Sequence, residues 1–338
     1  MLPKKLGCCG MLLLVLFLAV ALIFGLAVYG HSNVLGEIDR VEGTQPPLDD
    51  DQIEELENAT DDPNDLPEDL MVEEDLDIQL PDSQDVLPDS KDLINILLIG
   101  QDRRPGEGRT RSDTMILCTI NTRNKTLVMT SFLRDLYVDI PDWNGRSYQD
   151  NRLNACYAFG GMGMLDVALK NNFGVQVDHN IEVDFSGFKD VIDIFGGVTI
   201  RLTAAEAEYL GGGLKEGANH LTPSQALDYA RIRKLDSDFG RASRQQKVLM
   251  ALFAEMADMN SDQLTKLFRK ILPLTTTDMT DGEITDCLVQ LLPVLPELKV
   301  TTQTIPASGT YKNASVRGMA VLVPDLEANR QILRETLK

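Results

Sequence analysis

Arginine and carboxylate recur together in this sequence, where apolar runs begin and end. Leu93 to Gly100 leads into Gln101-Asp102-Arg103-Arg104, Arg111-Ser-Asp113 precedes a second run, and Arg134-Asp135 closes a third. In an open α/β sheet, ligands bind in the crevice beyond strand ends. Asp102 and Asp113 could therefore converge. Two hard carboxylates, with waters and substrate phosphate oxygens completing the shell, suit Mg²⁺. The plainer alternative is Asp–Arg pairing at a solvated sheet edge.

A second group lies further on. Tyr229-Ala-Arg231-Ile-Arg233-Lys234 is followed by Asp238-Phe-Gly-Arg241-Ala-Ser-Arg244-Gln245-Gln246. Asp238 or the nearby glycine can begin a helix. Arg241, Arg244 and Gln245 then share one face of its first turns. A helix N-terminus offers N–H groups and partial positive charge to an anion, and arginine forks add bidentate contacts to phosphate. Val248, Leu249, Leu252, Phe253 and Met256 continue the helix as an apolar stripe. By spacing that stripe reads as core, with a lipid pocket as the alternative.

Several chemistries lack material. There is no G-x-S-x-G elbow, no Walker A loop and no G-x-G-x-x-G after a strand. The three histidines, His31, His179 and His220, are too few for a His-rich metal site. The five cysteines form no CxxC, which argues against a zinc knuckle or a thioredoxin-like site. Cys118 and Cys156 sit in apolar runs and read as buried small hydrophobes.

The elements that must position these residues alternate strand and helix. Strands are expected at Leu93–Gly100, Thr114–Ile120, Thr126–Phe132, Leu136–Ile140, Ile181–Asp184, Val198–Leu202, Lys299–Ile305 and Met319–Val323. Helices are expected at Met164–Phe173, Phe188–Phe195, Pro223–Ala230, Arg241–Met259, Glu283–Leu295 and Asp325–Leu337. This order implies an α/β fold, a three-layer α-β-α sandwich with a central mixed sheet. Residues 92–260 would form its main part, and 261–338 would complete the same domain.

What precedes the domain differs in kind. Lys4-Lys5 leads into an uncharged apolar stretch, Met11 to Tyr29, long enough to span a bilayer as a helix. The positive-inside rule puts residues 1–10 in the cytoplasm, a transmembrane helix at 11–30 and the rest outside the cell membrane. A cleaved signal peptide is the alternative, but no clean A-x-A follows. The formal net charge is −20, from 52 acidic and 32 basic residues. Residues 49–90 hold 18 of the acidic residues and no basic one, which leaves 34 against 32 elsewhere. Residues 31–91 are thus expected to be a disordered acidic linker. The remaining domain is nearly balanced and free to hold a local cationic pocket. The charge and the topology both argue against nucleic-acid binding.

With these residues in view, the chain resembles the LytR-CpsA-Psr family of cell-wall ligases. The matching segments run in order. They are Gly100-Gln-Asp102, Arg111-Ser-Asp-Thr-Met115, Leu133-Arg-Asp135, Arg152-Leu-Asn-Ala-Cys-Tyr-Ala-Phe-Gly-Gly161, Asp184-Phe-Ser-Gly-Phe188, Asp193-Ile-Phe-Gly-Gly-Val198, Gln225-Ala-Leu-Asp-Tyr-Ala-Arg-Ile-Arg-Lys234 and Asp238-Phe-Gly-Arg-Ala-Ser-Arg-Gln-Gln246. Leu133 stands where the family's motif usually has proline.

The resemblance implies transfer of a glycopolymer phosphate from a polyprenyl-pyrophosphate carrier to peptidoglycan, the polymer being a teichoic acid, a capsule or another glycan. It implies Mg²⁺ held by Asp102 and Asp113. It assigns the pyrophosphate to Arg111, Arg134, Arg231, Arg233, Arg241 and Gln245, and the polyprenyl tail to an apolar tunnel under the sheet. Two other readings use the same residues: a lipid pyrophosphate phosphatase with water as acceptor, and a non-catalytic envelope regulator that binds the polyprenyl carrier.

Overall fold

The structure is a computed structural model that describes residues 39–40, 48–61, 71–72, 92–101, 109–256, 267, 270–271, 274–291 and 299–337. The expected transmembrane helix at 11–30 and the expected metal ligand Asp102 lie outside the described residues. Among the described residues, no helix is long and apolar enough to cross a membrane.

The strands, in chain order, are β1 (Asp39–Arg40), β2 (Met71–Val72), β3 (Leu93–Gln101), β4 (Ser112–Asn121), β5 (Thr126–Phe132), β6 (Tyr137–Val138), β7 (Asn151–Arg152), β8 (His179–Asp184), β9 (Val198–Leu202), β10 (Gly217–Leu221), β11 (Thr276–Thr277), β12 (Lys299–Ile305), β13 (Tyr311–Val316) and β14 (Met319–Pro324). The helices are α1 (Asp50–Glu57), α2 (Leu153–Phe173), α3 (Phe185–Ile194), α4 (Ala204–Leu210), α5 (Pro223–Ala230), α6 (Asp238–Met256), α7 (Asp281–Leu291) and α8 (Leu326–Thr336). The fold is α/β, and its main sheet has the order β1-β11-β8-β3-β4-β5-β12. The sheet is mixed: β1 runs parallel to β11, and β11 antiparallel to β8. Its strands β4 and β5 are buried almost throughout, as their unbroken apolar runs require.

The chain divides into two compact units. The first takes in residues 120–129 and 181–302. There the β9–β10 hairpin and helices α3 to α6 enclose a core that includes Ile192, Val198, Leu221, Tyr229, Val248 and Leu252. Val248 and Leu252 of the expected apolar stripe are therefore core, as their spacing suggests. Helix α4 and strand β10 escaped the sequence reading. Helix α4 starts at a capping box, Thr203 with Glu206, that lies outside any long apolar period.

The second unit takes in residues 41–119, 130–180 and 303–338. Its helix α2 begins eleven residues before the expected Met164, because the run Gly160-Gly161-Met-Gly163 masks its first half. The helix kinks at Gly161, whose φ of 67° and ψ of −153° suit only glycine. The carbonyls before the kink are satisfied by Arg109, which donates to Ala158 O at 2.9 Å and to Phe159 O at 2.8 Å. Strand β13, also unanticipated, pairs with β14 across the two-residue turn Arg317-Gly318, both with positive φ. That geometry matches the twist of a hairpin.

The acidic segment needs correction. Residues 48–61 are ordered, not a solvated tether. Helix α1 opens on Asp49, which shares a capping box with Gln52, and buries Ile53 to 2% exposure. Arg146 pairs with Asp50 at 2.5 Å, and the β13 edge accepts β2 in parallel. Opposite charges within the folded unit thus hold a segment whose own composition predicts disorder. Cys118 and Cys156 carry free thiols, both buried, and burial pushes the Cys118 thiol up to about 12.

Candidate functional site

The turn after β5 carries the candidate site in the second unit. Three backbone bonds fix it. The Leu133 N–H donates to Ile305 O at 2.9 Å, the Leu322 N–H to Asp135 O at 2.9 Å, and the Asn154 N–H to Arg134 O at 3.2 Å. The first bond requires an amide hydrogen that proline lacks, so Leu133 adds a backbone anchor here. The β13–β14 hairpin packs on Tyr137 and supplies Leu322, so the C-terminal segment helps to hold this turn.

Two expected site residues meet on the turn. Arg134 Nη1 donates to Asp113 Oδ1 at 2.8 Å, and its Nε donates to Asp135 Oδ2 at 3.3 Å. The Arg134 and Asp113 side chains keep 18% and 20% of their surface. Both are close-packed but reachable. Asp113 is a hard oxygen donor with one oxygen on Arg134, and that donor chemistry suits Mg²⁺.

Arg111 joins the same cluster. Its Nη2 donates to Leu56 O, near the C-terminal end of α1, at 2.7 Å. Its Nε is buried without a hydrogen-bond partner among the described residues. Burial lowers its pKa, the neighbouring Arg152 and Arg134 lower it further, and Asp135 and Asp61 act against them. Arg111 is therefore a desolvated cation among both signs of charge. Such a group attracts an anion strongly when its surroundings exclude water.

Three members of the cluster carried no role in the sequence reading. Arg152 stands at the N-cap position of α2 and brings its Nε within 3.4 Å of Asp135 Oδ1. Its Nη2 donates to Asp61, and Nε and Nη2 both donate to Ala320 O, at 3.1 Å and 2.7 Å. Asp61 also accepts the Ala320 N–H at 2.7 Å. Asp135 adjoins Arg134, and Arg152 opens a matching segment, so both were visible as residues. Asp61 had no local signal inside its run of carboxylates. The cluster holds Arg111, Arg134 and Arg152 against Asp61, Asp113 and Asp135, and is close to neutral.

The first unit holds the other expected anion ligands. Arg231 ends α5 as its C-cap, exposed, with its guanidinium 4.7 Å above the Phe185 ring. Arg233 is exposed two residues on. Arg241 lies in the first turn of α6, buried, 3.1 Å from Asp238. Gln245 is half-buried one turn later. Arg244 departs from the expected shared face. It is 3% exposed and donates to Glu206 at 2.9 Å, to Asp236 Oδ1 at 3.0 Å and to Ile232 O at 3.1 Å. It ties the turn carrying Arg231 and Arg233 to α4 and α6. Burial works against its charge, but the bonds to Asp236 and Glu206 outweigh that and raise its pKa.

Comparison with known proteins gives these clusters a context. The LytR_cpsA_psr family profile matches residues 55–336. The polyisoprenyl-teichoic acid–peptidoglycan teichoic acid transferase TagU of Bacillus licheniformis is 36% identical over 203 residues, 59% of this chain. The chain spans 64% of that relative's length. The regulatory protein MsrR of Staphylococcus aureus is 30% identical over 250 residues, covering 72% of this chain and 74% of MsrR. Among solved structures, TagT bound to LIIa-WTA superposes with a TM-score of 0.57 at 25% identity, covering 73% of this chain and 90% of TagT.

Proposed function

The chain belongs to the LytR_cpsA_psr family, and from that premise we propose that it transfers a glycopolymer phosphate from a polyprenyl-pyrophosphate carrier to peptidoglycan. The observation that carries this reading is Arg134, a largely shielded but reachable guanidinium between Asp113 and Asp135 on a turn held by three backbone bonds. The name of TagU and the ligand of TagT support the substrate class.

Phosphoryl transfer asks a protein for position and charge neutralisation rather than covalent chemistry. Arg134 and Arg111 would hold the pyrophosphate. An acceptor hydroxyl would form a new O–P bond at the sugar-side phosphorus. The pyrophosphate bridge would break, and polyprenyl phosphate would leave. An aspartate would take the hydroxyl proton. Asp113 and Asp102 would hold Mg²⁺, which when bound neutralises phosphate charge.

The rest of the proposed architecture follows from the same premise. The domain is a three-layer α-β-α sandwich behind one membrane helix at residues 11–30, with its site outside the cell membrane. The substrate's lipid then shares a bilayer with the anchor.

A product assay tests the reading. With a lipid-linked glycopolymer and peptidoglycan, the full chain should yield polymer-bearing peptidoglycan, and chelation of divalent cations should stop it. Release of free polymer phosphate with water as acceptor would instead make the chain a lipid pyrophosphatase. The name of MsrR favours a second reading, a carrier-binding regulator. Tight binding of the lipid without turnover would establish that one.

A further inference from the structure

Asp61 belongs to the segment whose composition predicts a tether, yet its contacts lead to Arg134. We propose that Asp61 is a positioning residue for the anion-binding guanidinium of Arg134, acting through Arg152 and Asp135. The inference rests on the reading of Arg134 given above.

Asp61 is itself fixed at two points. Its N–H donates to Gly318 O at 3.0 Å, and its Oδ2 accepts the Ala320 N–H at 2.7 Å. That same oxygen receives Arg152 Nη2. The Arg152 side chain is 9% exposed, so it has little room for another rotamer. Asp135 then divides its two oxygens: Oδ1 is ion-paired with Arg152 Nε at 3.4 Å, whose N–H donates to Ala320 O, and Oδ2 receives Arg134 Nε at 3.3 Å. A planar carboxylate cannot turn one oxygen without moving the other. The charge of Arg152 therefore biases the Asp135 carboxylate, and with it one side of the Arg134 fork, whose other side Asp113 holds at 2.8 Å. Outer partners of this kind orient the groups that touch a ligand.

The alternation of charge matters as well as the geometry. Arg152 without Asp61 would draw the Asp135 carboxylate toward itself, because opposite charges attract strongly at low exposure. Arg134 would lose the partner on its Nε. The acidic segment thus has a task in the site, and the family match beginning at residue 55 takes in Asp61.

The experiment is a double-mutant cycle on the full chain in detergent, with farnesyl pyrophosphate as the probe and calorimetry as the readout. Thermal midpoints are measured on every variant. Asp61→Asn should weaken probe binding by roughly tenfold, the scale of a coupling between neighbouring sites. In an Arg134→Ala background the same substitution should change binding no further. Asp61→Glu, which keeps the charge on a longer stem, should recover part of the loss. If Asp61→Asn unfolds the chain, Asp61→Glu replaces it in the cycle, with a smaller loss and the same dependence on Arg134. Unchanged binding, or an equal loss in both backgrounds, overturns the positioning role while leaving Arg134 as the anion ligand. Wild-type binding by Arg134→Ala alone would instead overturn the reading of Arg134, and this inference with it.

Discussion

Arg134 and Arg244 each hold two carboxylates, yet 18% of one side chain is exposed and 3% of the other. The difference separates two uses of the same residue. Arg244 spends its fork on Glu206, Asp236 and the Ile232 carbonyl, inside a core built from α4, α5 and α6. A guanidinium whose Nε, Nη1 and Nη2 are all engaged by the protein fixes the backbone around it. Arg134 sits on a turn with its partners only partly shielded, where an anion can compete for them. A sequence pattern that counts arginines on a helix face cannot see this distinction.

The largest expected effect on stability comes from breaking the enclosed cluster. Arg244→Met should cost about 3–5 kcal/mol, because Glu206 would be left buried without its partner. Denaturant midpoints measure it, and a loss near zero would erase the contrast between the clusters. A smaller effect is expected at Gly240. A Cβ there would lie 2.2 Å from the Asp236 carboxylate, so Gly240→Ala must push Asp236 off Arg244. Alanine ordinarily stabilises a helix interior by about 1 kcal/mol over glycine. Here overpacking of about 1–3 kcal/mol should reverse that sign. A stabilised Gly240→Ala chain would mean that Asp236 contributes little.

Acid gives the mildest test. Burial pushes the Glu206 pKa up, but bonds from Thr203 and Arg244 outweigh it and hold the carboxyl below the usual glutamate range. A folded-state pKa lowered in this way contributes stability at pH values above the unfolded value. That contribution fades as the pH falls through the folded value. The unfolding midpoint should therefore drop below the ordinary glutamate range in the wild type, and drop less in Arg244→Met. Equal pH dependence in both chains would remove Glu206 from the pair.

Much of the frame was legible because its signals are local. Strands β5, β9 and β12 and helix α5 carry their periodicity and breakers within a few residues, and the structure gives the expected ends. The Arg134–Asp113 pair was legible in the same way, since both residues border apolar runs. Elements set by long-range contacts were not. Helix α1 has one buried residue, Ile53, and draws further support from Arg111, Arg146 and Gln149 far along the chain. The path from Asp61 to Arg134 crosses 91 residues at its first step. Arg244 misled for the opposite reason: helical spacing fixes the angle of a side chain, while Glu206 and Asp236 decided that this angle faces the core.

The central claim is that Arg134 binds the substrate's pyrophosphate and Arg244 does not. The direct measurement is turnover of lipid-linked glycopolymer onto peptidoglycan by purified Arg134→Ala, alongside its thermal midpoint. The account predicts a rate lower by about 10²–10³-fold, typical of removing one charge-stabilising donor, with the midpoint near that of the wild type. A folded Arg134→Ala chain that ligates at the wild-type rate would contradict it.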